Sequence, residues 1–211
     1  MATDDADVDP EELQRQLSQI KEAVGIAEQY GSAVDLWLAI GVIVAVASAV
    51  SQYAYANDLP GVYYAVIWAG GVGGGIALYS YWRGDGNAFG VRSDRPNVNL
   101  LIAVVYAASF PVLLVASQYT RELGPREGDL LTLAVIVVML GTGYVVAGHV
   151  LKAYRIRDRD RYPFYVGGVG MVALGVALPA FEILREWPYV AFGGGYLAYA
   201  LVTYAYLTRT D

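Results

Sequence analysis

The chain has 211 residues and no cysteine, which excludes disulfides, thiolate metal sites and cysteine nucleophiles. Of these residues 56% are hydrophobic and only 16% charged, more apolar surface than an ordinary soluble domain of this length can bury. The net charge of −6 is concentrated in residues 1–35, which hold nine of the 20 acidic groups against Arg15 and Lys21 alone. Such a tail argues against nucleic-acid binding, which needs clustered cations, and against a secretory or transit peptide, which needs a basic start. Twelve arginines against two lysines give the whole a halophile-like composition.

The first element expected is a disordered acidic tail over residues 1–9. A cytoplasmic amphipathic helix over 10–32 follows, with Asp9 as N-cap, Pro10 at its first position, and Glu11 and Glu12 in its first turn. Leu13, Leu17, Ile20 and Val24 repeat along it at heptad-like spacing and form a candidate partner-docking seam. The same seam also suits a helix laid on its own bundle or on the bilayer surface. Its polar face is rich in Glu, which disfavours anionic lipid.

Six apolar runs of about 20 residues come next, each long enough at about 1.5 Å per residue to cross roughly 30 Å of hydrocarbon. They place six transmembrane helices near 34–56, 61–82, 98–120, 129–153, 163–184 and 188–208, within a membrane domain of residues 33–208. Eleven basic residues fall on the side holding both termini and three on the other, so the positive-inside bias puts the N and C termini in the cytoplasm. Tyr53, Tyr55, Tyr63, Tyr119, Trp187 and Tyr189 mark the outer interface, and Trp37, Tyr81, Trp82, Tyr154, Tyr162 and Tyr206 the inner one. The outer turns Asp58-Leu59-Pro60, Glu122-Leu123-Gly124-Pro125 and Glu186-Trp187-Pro188 set an acid every 64 positions, which suggests three helical hairpins. Any short helix-helix turn selects an acid and a proline, so the repeat rests on little else.

Glycine dominates the apolar runs. Gly70, Gly71, Gly74 and Gly75, together with Gly141, Gly143 and Gly194, are candidate helix-packing or pathway residues. Small residues four apart let membrane helices approach closely, while local unwinding around a solute is the alternative. A phosphate loop is excluded at GGVGGG because no Lys-Ser or Lys-Thr follows. In RIRDRDRY, Arg155, Arg157, Arg159 and Arg161 are separated by acids or apolar residues; in an extended turn they form a candidate inner-leaflet anchor. Arg121, Glu122, Glu182 and Arg185 are weaker candidates for an outer vestibule.

The only histidine, His149, has no carboxylate at metal-binding spacing, and Asp85-Gly86-Asn87 lacks the carboxylate ladder of a calcium loop. Pro111 and Pro179 interrupt spans where a kink is tolerated. Between their ends the expected spans hold no ionisable residue except tyrosines. The expectation is an all-α, multi-pass integral membrane protein of the plasma membrane with no catalytic, cofactor or metal site. A non-catalytic signalling, regulatory or scaffolding subunit is the first reading of its function. It would contact lipid, and a cytoplasmic protein or a second copy through residues 10–30, but no nucleic acid. The alternative is a small transporter or channel for a neutral or weakly polar solute.

Overall fold

A computed structural model describes residues 15, 16, 20, 34–75, 78, 81, 124–153 and 157–209. The expected third span, most of the amphipathic helix, and Pro111 lie outside the described residues. Within them the chain is all-helical, and four helices are long and apolar enough to cross a membrane. These are α1 (Val34–Ala56), α3 (Pro125–Ala153), α4 (Asp158–Ala180) and α6 (Pro188–Arg209). Two shorter elements join them: α2 (Val62–Val66), which continues as a π-helical stretch over Ile67–Gly73, and α5 (Glu182–Glu186). Helices prevail because a backbone in hydrocarbon must satisfy its own polar groups.

The ends of these helices follow from local chemistry. Helix α1 carries Asp35 in its first turn, where a negative charge meets the positive end of the dipole. It closes with Asp58 in the left-handed conformation (φ 51°), Asp58 N donating to Tyr55 O and Leu59 N to Ala54 O. This is the paired bonding of a Schellman terminus, and Pro60 then prevents continuation. Helix α3 begins with Pro125 at its first position, four residues before the apolar run itself, and ends with Lys152 in its last turn.

The charged segment before the fifth apolar run is helical rather than extended. Arg157 caps α4 with extended backbone (ψ 143°), and Asp158 and Asp160 occupy the first turn, where the helix dipole favours acids. That preference draws the helix start back to 158. At the other end α4 stops at Ala180, just after Pro179, and Phe181 (φ −111°, ψ 129°) is extended before α5 begins. The expected span over 163–184 is therefore a helix over 158–180 followed by a separate turn.

Two antiparallel pairs form the core: α1 on α6, and α3 on α4. Glycines set the closest approaches in each. A Cβ on Gly41 would lie 2.5 Å from the Ala200 Cβ, and Ser48 fills the space beside Gly193. In the other pair the contact is backbone on backbone: a Cβ on Gly141 would lie 2.5 Å from Gly168 O, and one on Gly168 2.7 Å from Gly141 O. Such closeness gives dispersion contact that larger residues would block. Around these crossings Val44, Leu130, Leu133, Val137, Met171, Leu178, Phe192 and Tyr196 form the buried core.

Only 28–39% of the most apolar window of each spanning helix is buried within the fold. Exposed apolar residues such as Val46, Val166, Val176 and Val202 cover the outward faces, as contact with lipid requires. The two most extensive pairs, α3 on α4 and α1 on α6, are not pairs that the expected three-hairpin repeat would join. Helices α4 and α6, which a three-hairpin repeat would couple, meet far less extensively than α1 meets α6. The two described turns of that expected repeat also differ, since Asp58 is left-handed after a helix whereas Glu186 ends a short helix and Trp187 has φ −127° and ψ 49°.

Candidate functional site

The polar groups of the fold gather near the C-terminal end of α1, the outer end in the expected topology. Ser48, Ser51, Gln52 and Tyr55 recur there at helical spacing, so all four lie on the buried face. Gln52 answers a problem created by the start of α6. Trp187, which precedes Pro188, has no side-chain acceptor to cap the next N–H groups. The Gln52 side chain supplies one from 137 residues away: its Oε1 accepts from Tyr189 N at 3.1 Å and Val190 N at 3.3 Å. Its Nε2 donates to Glu186 O at 3.0 Å, and the Tyr55 hydroxyl donates to Arg185 O at 2.9 Å. Two side chains of α1 thus fix the α5–α6 junction.

Beside this clamp the Tyr64 and Tyr189 rings stack with centroids 5.3 Å apart and planes 16° apart, and Tyr55 meets Tyr189 edge-on at 5.9 Å. The Tyr64 hydroxyl is buried and meets the Asp129 carboxylate and the Tyr189 hydroxyl. Asp129 is half-buried. The nearest cation in its own helix is committed elsewhere, because Arg126 Nε pairs with Asp58 Oδ1 at 2.8 Å and Arg126 Nη2 donates to Ala56 O at 3.0 Å.

The inner half of the bundle is held differently. Trp37 touches the rings of Tyr144, Phe164 and Tyr199, from three other helices, at centroid distances of 5.9, 5.1 and 5.7 Å. Tyr144 and Tyr196 share a hydrogen bond between hydroxyls, and Tyr199 donates to Pro163 O at 2.7 Å. The Tyr199 ring lies where a side chain on Gly167 would be, with 2.5 Å between that Cβ and ring Cζ. Glycine here makes a socket for an aromatic ring.

The residues singled out from sequence scatter across the fold. Gly141 and Gly143 are buried in α3, and Gly141 sits in the backbone contact with α4. Gly75 meets Ile43 at 3.0 Å, Gly71 reaches Ala47 only at 4.0 Å, and Gly70, Gly74 and Gly194 have nothing within 4 Å among the described residues. Close helix packing therefore accounts for Gly141 and Gly75, whereas Gly70 and Gly74, within and beside the π-helical stretch, meet no described residue closely. Arg161 pairs with Asp158 and Arg159 with Asp160, so the first turn of α4 neutralises much of its own charge.

Glu182 and Arg185 are both exposed on α5, with no ion pair between them, and only the Arg185 carbonyl takes part in the clamp. His149 is exposed, and among the described residues no group of three His, Cys, Asp or Glu converges on a metal position. Ile20 is helical and 60% exposed. Leu13, Leu17, Val24, Arg155, Arg121 and Glu122 lie outside the described residues.

Gln52, Tyr64, Asp129 and Tyr189 were not among the sequence-derived site residues. One signal for Gln52 was present, an amide within an otherwise apolar run, together with a helix start at Trp187-Pro188 that lacks its own cap. Comparison with known families, with curated proteins and with solved structures finds no match to the chain.

Proposed function

We propose that the chain is a non-catalytic subunit of the plasma membrane, six-spanning with both termini cytoplasmic, that holds a cytoplasmic partner through its N-terminal heptad seam. The observation that carries this reading is Ile20, a helical seam residue left 60% exposed rather than packed on the bundle. An apolar residue held outward on a helix is the arrangement by which such a seam enters a partner's groove. The paired, glycine-notched core supports a scaffold role, because backbone contacts such as Gly141 on Gly168 leave little freedom for relative movement.

Deleting residues 1–30 tests the reading. Proteins that co-purify with the full chain disappear, while the membrane domain still inserts; an unchanged set of partners would refute the proposal. Ile20→Asp is the sharper form, since a single charge in the seam weakens docking without removing the tail.

The π-helical stretch Ile67–Gly73 favours a second reading, a conduit for a neutral or weakly polar solute. Departures from α-geometry often lie at functional sites, and no described residue packs within 4 Å of where a side chain on Gly70, Gly73 or Gly74 would begin. In reconstituted vesicles Gly73→Leu would then reduce solute flux, and equal flux in the parent and the variant would refute that reading.

A further inference from the structure

We propose that the groove between α3 and α4 holds one acyl chain of an amine-bearing phospholipid, whose headgroup meets the exposed Arg185 and Glu182 of α5. The proposal goes beyond the scaffold reading and does not depend on it. The groove has a volume of about 560 Å³, within the range of about 300–1,000 Å³ usual for ligand sites. Val145 of α3 and Val169, Val172, Ala173, Val176 and Phe181 of α4 and its end line it, and every lining residue carries a hydrocarbon side chain. A polar occupant would lose its hydration there without gaining a hydrogen bond, so the part of the ligand that enters is hydrocarbon.

Placement and length fit a lipid chain. The groove lies on the outward face of α4, where Val169 and Val176 are each 63% exposed. From Val169 to Ala180 its lining runs about 16 Å along the helix, roughly half of a hydrocarbon core about 30 Å thick and so the depth of one leaflet. At that point the helix breaks. Phe181 is extended, and α5 folds over it, with Leu184 N and Arg185 N both donating to Phe181 O at 3.1 Å. Ile183 and Trp187 are exposed beside this turn, and an exposed tryptophan suits the headgroup boundary.

The charges stand where a headgroup would lie. Glu182 follows Phe181 directly and Arg185 comes three residues later; both are exposed, and among the described residues neither side chain makes an ion pair or a hydrogen bond. A free guanidinium offers paired N–H donors to a phosphate, and a free carboxylate accepts from a primary ammonium. The backbone beneath them is fixed, because the Tyr55 hydroxyl donates to Arg185 O at 2.9 Å. One cation and one anion on a single turn complement a zwitterionic phosphoethanolamine, whereas a purely anionic headgroup would meet repulsion from Glu182. A hydrocarbon wall ending at such a pair matches an amphiphile.

The full chain in nanodiscs of mixed phosphatidylethanolamine and phosphatidylglycerol provides the test, with extraction into mild detergent and mass spectrometry of the intact protein. The expected result is one phosphatidylethanolamine retained per chain, none in Ala173→Phe, which fills the groove, and a half-saturating lipid fraction raised about tenfold in Arg185→Gln. Glu182→Gln should remove the preference for ethanolamine over glycerol headgroups. No lipid retained by the parent, equal retention in Ala173→Phe, or retention indifferent to both headgroup variants would overturn the proposal. Should Ala173→Phe fail to fold, Val176→Cys in the otherwise cysteine-free chain carries the decision. Its thiol should react more slowly with a membrane-soluble maleimide in phosphatidylethanolamine than in phosphatidylglycerol, and Arg185→Gln should abolish the difference. A thiol equally slow in both lipids would assign the groove to another helix of the chain, and a disulfide between two chains would assign it to a second copy; either result overturns a lipid site.

Discussion

The outer and inner halves of the bundle solve the same problem, joining four helices in an apolar medium, by opposite means. At the outer end single atoms reach across the fold: Gln52 caps α6, Tyr55 holds Arg185 O, and Arg126 closes on Asp58 and Ala56 O. At the inner end Trp37 spreads its surface over rings from α3, α4 and α6, and a glycine socket receives Tyr199. Directional bonds depend on exact partners, whereas ring packing depends on filled volume. The inner end should therefore lose most when volume is deleted, and the outer end when one polar group is orphaned.

The largest effect expected is at Trp37. Trp37 is half-buried, so Trp37→Ala, which removes the one side chain common to three ring contacts, costs about 3 kcal/mol, the low end of the range for truncating a large aromatic. Trp37→Phe retains much of the volume and costs considerably less. Thermal unfolding in detergent or nanodiscs reads both, and equal losses for the two variants would contradict a volume-filling role.

Gln52→Leu comes next and probes the outer half. The substitution keeps a similar apolar bulk but leaves Tyr189 N, Val190 N and Glu186 O without the partner they share. Each orphaned buried group costs about 1–3 kcal/mol in proteins, but hydrogen bonds within membranes average only about 0.6 kcal/mol in double-mutant cycles. We expect about 2 kcal/mol in total. Gln52→Glu separates the two halves of the clamp, since it keeps the acceptor for Tyr189 N and Val190 N while losing the donor to Glu186 O. Its amide protons at Tyr189 and Val190 should stay protected from exchange, whereas those of Gln52→Leu should not.

How much of this was legible in the sequence depends on the range of the interaction. Four apolar helices and the acids at 58 and 186 are local signals, set by hydropathy over about 20 residues or by one turn's chemistry, whereas α3 starts at Pro125 rather than at the expected 129 because proline suits a first helical position. Gly141 was legible as a packing glycine because small residues are selected wherever membrane helices touch. Its partner was not, because nothing local ties Gly141 to Gly168 across two helices. The start of α4 was misplaced for a physical reason: charge alternation in RIRDRDRY reads as a loop, but Asp158 and Asp160 suit the first turn of a helix. The Gln52 clamp and the Tyr64–Asp129 pair depend on residues 65 or more positions apart, so only the fold brings them together.

The smallest expected effect lies at the most exposed part of the outer half. The Arg126 and Asp58 side chains are 56% and 52% exposed, which places their ion pair among the surface pairs that solvent screens and that contribute little. Arg126→Ala should lower stability only slightly, and part of that loss should persist at high salt, because Arg126 also donates to the uncharged Ala56 O. Asp58→Asn removes the charge but keeps a residue that tolerates φ 51°, so it should cost no more than the salt-sensitive part of the Arg126→Ala loss. Asp58→Val forces a β-branched residue into the left-handed turn and should cost about 1–2 kcal/mol more than Asp58→Asn, independently of salt. If the valine and asparagine variants unfold alike, the turn does not hold the end of α1, and the outer half depends on Gln52 and Tyr55 alone.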